Sequence, residues 1–476
     1  VRAALLLAGA CFAVFAPTLD HWFVSDDFLN IERNVLRTLA DVFACFSTEG
    51  VDFYRPVPRL HFGVLQGLAG DRAWAWNVVG VLLHALVSIT VWRLAASLLG
   101  DERRAAFLAG LFFAVHFIHV EAVVWASSVT SLWAALFTLL ALLLFRRARE
   151  RGSTRDRTLS VAALAAALMS KEDAVAFAPL LLLTTAWRPP RSPAGPTPRR
   201  PTLEEGLPYA VLLGAWAAVA LTIDRGGDLS PYRPTLGANV FVNAAFFLLA
   251  GFAPVRYWRL RDLAEGGGAE GISAVLREAS LGLPLLACGV AILFAALRGS
   301  ASVRLGLAWV LAAAAPFLLL PGSGERFAYL PSLGSCLVLG IAADRLVAGA
   351  RTPGGRNAAR AAAIAIPVAL ILGHLDRQAD WRTASHWTRG IVGRWTFLRN
   401  LDPAEPVEFA GIPGEYRSAW VFRNGFDSMV RLYWEGRPYF RAGEAAPAGP
   451  LPYRMAVVLH PSGAVGMRPA KLEGSP

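Results

Sequence analysis

A chain of 476 residues that is 55% hydrophobic and only 17% charged is too apolar for a water-soluble protein of this length. Its formal net charge of +11 invites a nucleic-acid reading, yet the basic residues stand in short clusters between apolar runs. No basic stripe with interleaved aromatics is present, which argues against a nucleic-acid partner and for the positively charged loops of a membrane protein.

In chain order, a first membrane helix is predicted over residues 3–19, and Arg2 before it and the many spans after it favour an uncleaved helix over a signal peptide. A mostly polar segment follows, holding HWFVSDDFLNIERN (21–34), YRPVPRLHF (54–62) and DRAW (71–74). Further helices are predicted at 75–99, closed by DERR, and at 105–118, ending in HFIHVE (116–121). Another spans 129–145 before RRARERGSTRDR, and two more (158–170 and 174–187) flank SKED (170–173). The Pro/Arg-rich stretch 188–201 reads as a flexible loop. Later apolar runs lie at 205–222, 239–255, 281–297, 305–320, 331–348 and 361–373. Each is set against the roughly 30 Å of a hydrocarbon core.

Arginine fills every second loop of the first half, and the remaining loops carry Asp, Glu and His. The positive-inside rule puts DERR, RRARER and 188–201 in the cytoplasm, and the acid doublet, HFIHVE and SKED together on the opposite face. In the second half, 298–304 and 350–360 read as cytoplasmic, and GERFAYLPS (324–332) and the C-terminal region as outside. Parity then makes the 239–255 run re-entrant or interfacial. The fold expected is an all-α polytopic membrane protein of eleven to thirteen helices over residues 1–375. A small β-rich extracytoplasmic region is expected at 376–476, with strands in VEFAGIP, SAWVFRNG and YRMAVVLHPSG. Four scattered cysteines, Cys11, Cys45, Cys288 and Cys336, form neither a disulfide framework nor a metal spacing.

Four groups of residues exceed what a helix end requires. Asp26 and Asp27 are adjacent carboxylates, and like charges raise one partner's pKa, giving a group able to accept a proton or hold a metal. His116, His119 and Glu121 fall within six residues at a membrane helix end, where charge is costly. Their spacing is no strong zinc signature. Of 46 basic residues only Lys171 and Lys471 are lysine, and Lys171 is wedged between helices beside Glu172. Arg326 of ERFAYLPS offers a fork of donors suited to phosphate oxygens, with Tyr329 close by. The plain alternatives are a helix terminator, a satisfied core histidine, a chance lysine and a surface ion pair. GGGAEG (266–271) matches a dinucleotide fingerprint by letter only, since no strand precedes it, and there is no Walker A sequence or G-x-S-x-G.

The ordered set (acid doublet, YRPVPRLHF, H-x-x-H-V-E-A-V-x-W at 116–125, SKE, ERFAYLPSLG at 325–334) resembles the C-type glycosyltransferase superfamily. It is most similar to the membrane part of the transmembrane and tetratricopeptide-repeat O-mannosyltransferases and their bacterial relatives. The resemblance implies inverting transfer of a sugar, such as mannose, from a polyprenyl-phosphate donor to a protein or glycan acceptor at the outer face of a bacterial inner membrane. It implies a first-loop general base at Asp26 or Asp27, a second-loop acid at Glu121, and carrier-phosphate cations at Lys171 and Arg326. Arg55, His119, Glu172 and Tyr329 join them as substrate-binding residues. A divalent ion (Mg or Mn) held by Asp27 and Glu121 stays open, because some branches of the superfamily use one. The chain departs from the pattern at Phe117 and Val129, where such relatives carry Pro and Arg, and in its β-like C-terminal region. Two rival readings remain: a transporter or flippase with a path past His84, and a non-catalytic scaffold presenting residues 376–476.

Overall fold

The computed structural model describes residues 1–187, 202–223, 233–254, 256, 279–322, 324–393, 407–434, 439–441, 453–459 and 465–471. The chain opens with helices α1 (Arg2–Phe15), α2 (Asp26–Arg33), α3 (Leu39–Ala44), α4 (Pro56–Ala69), α5 (Ala73–Leu99) and α6 (Arg103–Val115). There follow α7 (Val120–Val124), α8 (Val129–Arg151), α9 (Thr154–Leu168), α10 (Phe177–Ala186), α11 (Leu203–Thr222) and α12 (Ala238–Ala250). The second half supplies α13 (Ala279–Arg298), α14 (Ala301–Leu318), α15 (Ser332–Ala348), α16 (Pro353–Gly393) and α17 (Phe426–Tyr433). The Pro/Arg-rich loop at 188–201 and GGGAEG lie outside the described residues.

Among the described residues, six helical segments are long and apolar enough to cross a membrane: Arg2–Asp20, α5, Ala126–Arg151, α11, α14 and α16. A seventh span arises if α6 and the Phe117–Val124 segment, bent by 46° to each other, are taken as one. The chain is thus a multi-pass membrane protein, with fewer full-length spans among the described residues than the eleven to thirteen expected. The reason is length. The expected runs at α9, α10, α12 and α15 are helices, but of 15, 10, 13 and 17 residues. At ~1.5 Å per residue, all of these fall short of a ~30 Å core.

Two exposures identify the lipid-facing helices. Only 11% of the apolar window of α11 and 17% of that of α16 is buried, against 72% for Ala126–Arg151. Leu207, Val211 and Leu221 of α11 stand exposed. In water such a surface would cost ~25 cal/mol per Å². Against lipid it costs nothing. Inside the bundle, small residues let backbones approach: a Cβ on Gly334 (α15) would meet the Gly306 carbonyl of α14 at 2.2 Å, and one on Gly340 the Ala105 carbonyl of α6 at 2.6 Å.

Polar groups gather at both ends of the bundle. At one end Arg345 pairs with Glu102 (3.5 Å), Arg149 with Glu205 (3.7 Å), and Arg146 Nε donates to Ser97 Oγ (2.8 Å). At the other end the acid doublet, Glu121, Lys171 and Arg326 are drawn together.

The α16 helix runs for 41 residues, through position 375 where the membrane-like sequence was expected to end. Its last turns bury Arg377, Asp380, Trp381, Ser385 and Thr388 against the start of the chain and the C-terminal region. A four-stranded sheet follows in the order β4 (Tyr439–Arg441), β1 (Val407–Ala410), β5 (Tyr453–Leu459), β6 (Val465–Lys471). In it β1 lies parallel to both neighbours and β5 antiparallel to β6. A short hairpin pairs β2 (Glu415–Tyr416) with β3 (Ala419–Trp420). The expected strand SAWVFRNG is one only at its start: β3 ends at Trp420, and Asn424-Gly425 leads into α17 rather than into another strand. The turn expected at residues 461–463 lies outside the described residues.

Candidate active site

The doublet splits into two unlike carboxylates. A turn of α-helix begins at Asp26, so the neighbouring side chains diverge by about 100°. Asp27 is buried and fully engaged: it accepts from the Val24 backbone (3.0 Å), the Ser127 backbone (2.7 Å) and Ser127 Oγ (2.6 Å). Burial pushes its carboxyl up to about 7, the Ser127 and Val24 hydrogen bonds resist, and the neighbouring Asp26 charge adds to the rise. Asp27 ties the start of α2 to the segment after α7.

Asp26 is half-buried, and its Oδ1 is shielded from solvent without a hydrogen-bond partner. Burial raises its pKa, while an Asn424 hydrogen bond and the charges of Arg326, Arg423 and Arg55 pull the other way. The charges of three guanidinium groups thus oppose the burial that raises the proton affinity of this carboxylate.

The cations are fixed from below. Glu121 accepts from the backbone N–H of Arg326 (2.9 Å) with one oxygen and from its Nη1 (2.7 Å) with the other, which also takes the Trp420 indole N–H (3.3 Å). Arg55 donates Nε to Glu172 (2.9 Å) and pairs through its Nη2 as well. Burial pushes the Glu172 carboxyl up, but Arg55, aided by Lys171, outweighs it and leaves it lowered. Lys171, buried, donates to Ser131 Oγ (3.0 Å) and pairs with Asp173 (3.0 Å). The Asp173 carboxyl is raised by burial and by the Glu172 charge, against the pull of Lys171. Phe327 links the set, with the Lys171 ammonium 5.0 Å and the Arg326 guanidinium 4.6 Å from its ring centre.

Asp26, Asp27, Glu121, Arg55, Lys171, Glu172 and Arg326 thus converge at one end of the bundle. His119 and Tyr329 do not join them. His119 is fully buried, with its ring nitrogens on the Phe113 carbonyl (2.8 Å) and Ser332 Oγ (2.7 Å). The Tyr329 hydroxyl is buried against His84 Nδ1 (2.7 Å). His84, on which a transport path would rest, also meets the Ala114 carbonyl (3.1 Å). These rings pack the helices together. Asp27 and Glu121, the pair considered for a divalent ion, both accept from protein donors, and among the described residues no three His, Cys, Asp or Glu gather.

Sequence reasoning missed Ser127, Ser131 and Asp173 as partners of the doublet and the lysine, and Trp420, Arg423 and Asn424 altogether. The last three had one local signal. Phe426, Met429, Val430 and Tyr433 recur at i, i+3, i+4 and i+7, the apolar stripe of a helix, and that stripe is where α17 packs.

Comparison with known proteins places the sequence. Residues 56–223 match the family described as dolichyl-phosphate-mannose-protein mannosyltransferase. The mouse protein O-mannosyl-transferase TMTC2 is 41% identical over 92 residues, 19% of this chain and 11% of that protein. Human TMTC1 is 32% identical over 162 residues (32% of this chain, 18% of that one), and human TMTC4 29% over 204 residues (36% and 28%). The chain therefore spans from about a tenth to under a third of the length of these curated relatives. A crystal structure of ArnT from Cupriavidus metallidurans bound to undecaprenyl phosphate aligns over 95% of this chain and 92% of its own, at 13% identity and a TM-score of 0.45. By its sequence, the chain resembles the dolichyl-phosphate-mannose-protein mannosyltransferase family over residues 56–223 and the protein O-mannosyl-transferases TMTC2 and TMTC1 over 92 and 162 residues.

Proposed function

We propose that the protein is a membrane glycosyltransferase that moves a sugar, mannose by its relatives' names, from a polyprenyl-phosphate donor to an acceptor hydroxyl at the outer face. The observation that carries this reading is Asp26 Oδ1, shielded from solvent and without a hydrogen-bond partner, on a carboxylate that feels the charges of Arg326, Arg423 and Arg55. Asp26, not Asp27, is the base. It takes the acceptor's proton as that oxygen attacks the anomeric carbon from the face opposite the phosphate. The sugar–phosphate bond breaks with its electron pair leaving on the phosphate, so configuration inverts. Arg326, Lys171 and Arg55, strung around Phe327 and Glu172, neutralise the departing phosphate. Glu121 holds Arg326 in register, and Asp27 holds the loop. The donor's apolar chain needs lipid access, which supports placing this chemistry where outer loops meet the bundle.

The test is transfer of labelled mannose from polyprenyl-phosphate-mannose by membranes carrying the full chain. Asp26→Asn is expected to abolish transfer with normal membrane insertion, while Asp27→Asn retains a measurable fraction. Unchanged turnover in Asp26→Asn would overturn the reading.

A further inference from the structure

A carboxylate that takes no part in the chemistry can still decide where a cation points. Glu121 is only 6% exposed, and its two oxygens are used unequally. One accepts the Arg326 backbone N–H (2.9 Å), and the other is shared between Arg326 Nη1 (2.7 Å) and the Trp420 indole N–H (3.3 Å). The backbone of Arg326 is fixed from a second side, because Arg377 of α16 grips the preceding Glu325 (3.0 Å). What the shared oxygen sets is therefore the direction of the Arg326 side chain. Trp420 bonds that oxygen from 299 residues further along the chain.

The indole is locked from both of its flanks. Before it, the hairpin pairs Glu415 with Trp420 and Tyr416 with Ala419, leaving Arg417 (φ 54°) and Ser418 as a two-residue turn. Both turn residues bond Asp380 of α16, at 3.2 and 3.3 Å, and the Tyr416 ring meets Trp387 edge-on at 4.9 Å. After it, the Val421 carbonyl accepts the Ser25 N–H (2.8 Å), and the Asn424 N–H donates to Ser25 Oγ (3.4 Å). Ser25 itself has φ 47°, which a side-chain-bearing residue keeps only where its surroundings over-determine it. Gly425, at φ 78°, lies so close that a Cβ there would collide with the Ser25 carbonyl oxygen. The Trp420 ring meets the Arg423 guanidinium at 4.5 Å and the Trp125 ring at 6.4 Å, and the Arg326 guanidinium lies 5.5 Å from the Trp125 ring centre.

We propose that Trp420 is a positioning residue for the transfer: by donating to Glu121 it holds that carboxylate, and through it the Arg326 guanidinium, aimed at the departing phosphate. The C-terminal region thereby adds a side chain to a site otherwise built from the helical bundle and its loops. Without the indole N–H, Glu121 Oε1 keeps Arg326 Nη1 as its partner and loses the donor that fixes its own attitude. The donor's phosphodiester bears one negative charge when bound and gains a second as the sugar leaves, so a misdirected Arg326 is missed most in the transition state.

This inference rests on the proposed function, and its experiment separates the two claims. Trp420→Phe keeps an aromatic ring and removes the N–H, Glu121→Gln keeps the shape and removes the charge, and both are made singly and together in the full chain. Transfer of labelled mannose from polyprenyl-phosphate-mannose is measured in membranes. The contact itself is read separately, from fluorine NMR spectra of the protein labelled with 5-fluorotryptophan. There the Trp420 resonance is the one missing from both Trp420→Phe and Trp420→Tyr. Trp420→Phe is expected to lower kcat by about tenfold while donor KM changes by less than about threefold. In the Glu121→Gln background the same change should cost at most about twofold more, because both residues act through one carboxylate. The Trp420 resonance should shift in Glu121→Gln. Full kcat in Trp420→Phe, losses that multiply in the double variant, or a Trp420 resonance unmoved by Glu121→Gln would each overturn the proposal, as would a fall in protein amount with kcat intact. If the unaltered protein transfers no sugar, the glycosyltransferase reading fails, and the fluorine resonance still decides whether Trp420 holds Glu121.

Discussion

Two adjacent aspartates with the same side chain do different work because one helix start points them into different surroundings. Asp27 has three donors and no open face, Asp26 an oxygen without a hydrogen-bond partner. The sequence could announce the doublet but not this division, since Ser127 is a hundred residues away and nothing local marks it. The difference has a measurable sign. Folded Asp27 keeps its proton up to about 7, whereas the unfolded chain releases it near 3.8. Between those values the native state binds more protons, so stability falls as pH rises across the interval and levels above it. Thermal midpoints in detergent at pH 4.5 and 7.5 are expected to differ in the unaltered protein and to differ less in Asp27→Asn. The scarcity of lysine, by contrast, did single out Lys171, though not its partner Asp173. Lys171→Met strands Asp173 in a buried site and is expected to cost about 3–5 kcal/mol in denaturation measurements. Adding Asp173→Leu should recover part of that loss; no recovery would show that the pair is not the reason.

Elements were the most legible level in the first half of the chain and the least legible in the last hundred residues. Runs such as 129–145 and 305–320 became helices within a few residues of their expected bounds, because in a bilayer the backbone must satisfy its own hydrogen bonds and apolar length is enough to mark the segment. What apolar length could not tell was whether a helix goes all the way across, as α10 and α12 show. Nor could it show that α16 continues beyond its apolar part, through HLDRQADW, as one rod buried on its polar side by Glu325, Arg256 and Arg417. Packing between elements depends on glycine contacts that invite a direct test. Gly334→Ala thrusts a methyl into the Gly306 carbonyl and is expected to lose about 1–3 kcal/mol, while Gly9→Ala, with open space around it, should be silent. Fluorescence-detected thermal unfolding of the two variants side by side reads the difference. Equal midpoints would mean that α14 and α15 do not approach as closely as they do here.

On the scale of the whole molecule, the alternation of arginine-rich and acid-bearing loops was the strongest sequence-level signal, and it makes a prediction about which side of the membrane each loop faces. With the native cysteines replaced, single cysteines at Glu49 and Arg423 should react with a membrane-impermeant maleimide added outside, and one at Arg104 only after permeabilisation. Reaction of Glu49 and Arg423 from opposite sides would break the site apart. The coupling of Ser25 to Gly425 has a further consequence, for biogenesis. A ribosome delivers Asp26 to the membrane early and the segment that sets its backbone some four hundred residues later. A chain that has not yet received this segment can insert its earlier helices and still leave Ser25 without the contacts that set its backbone.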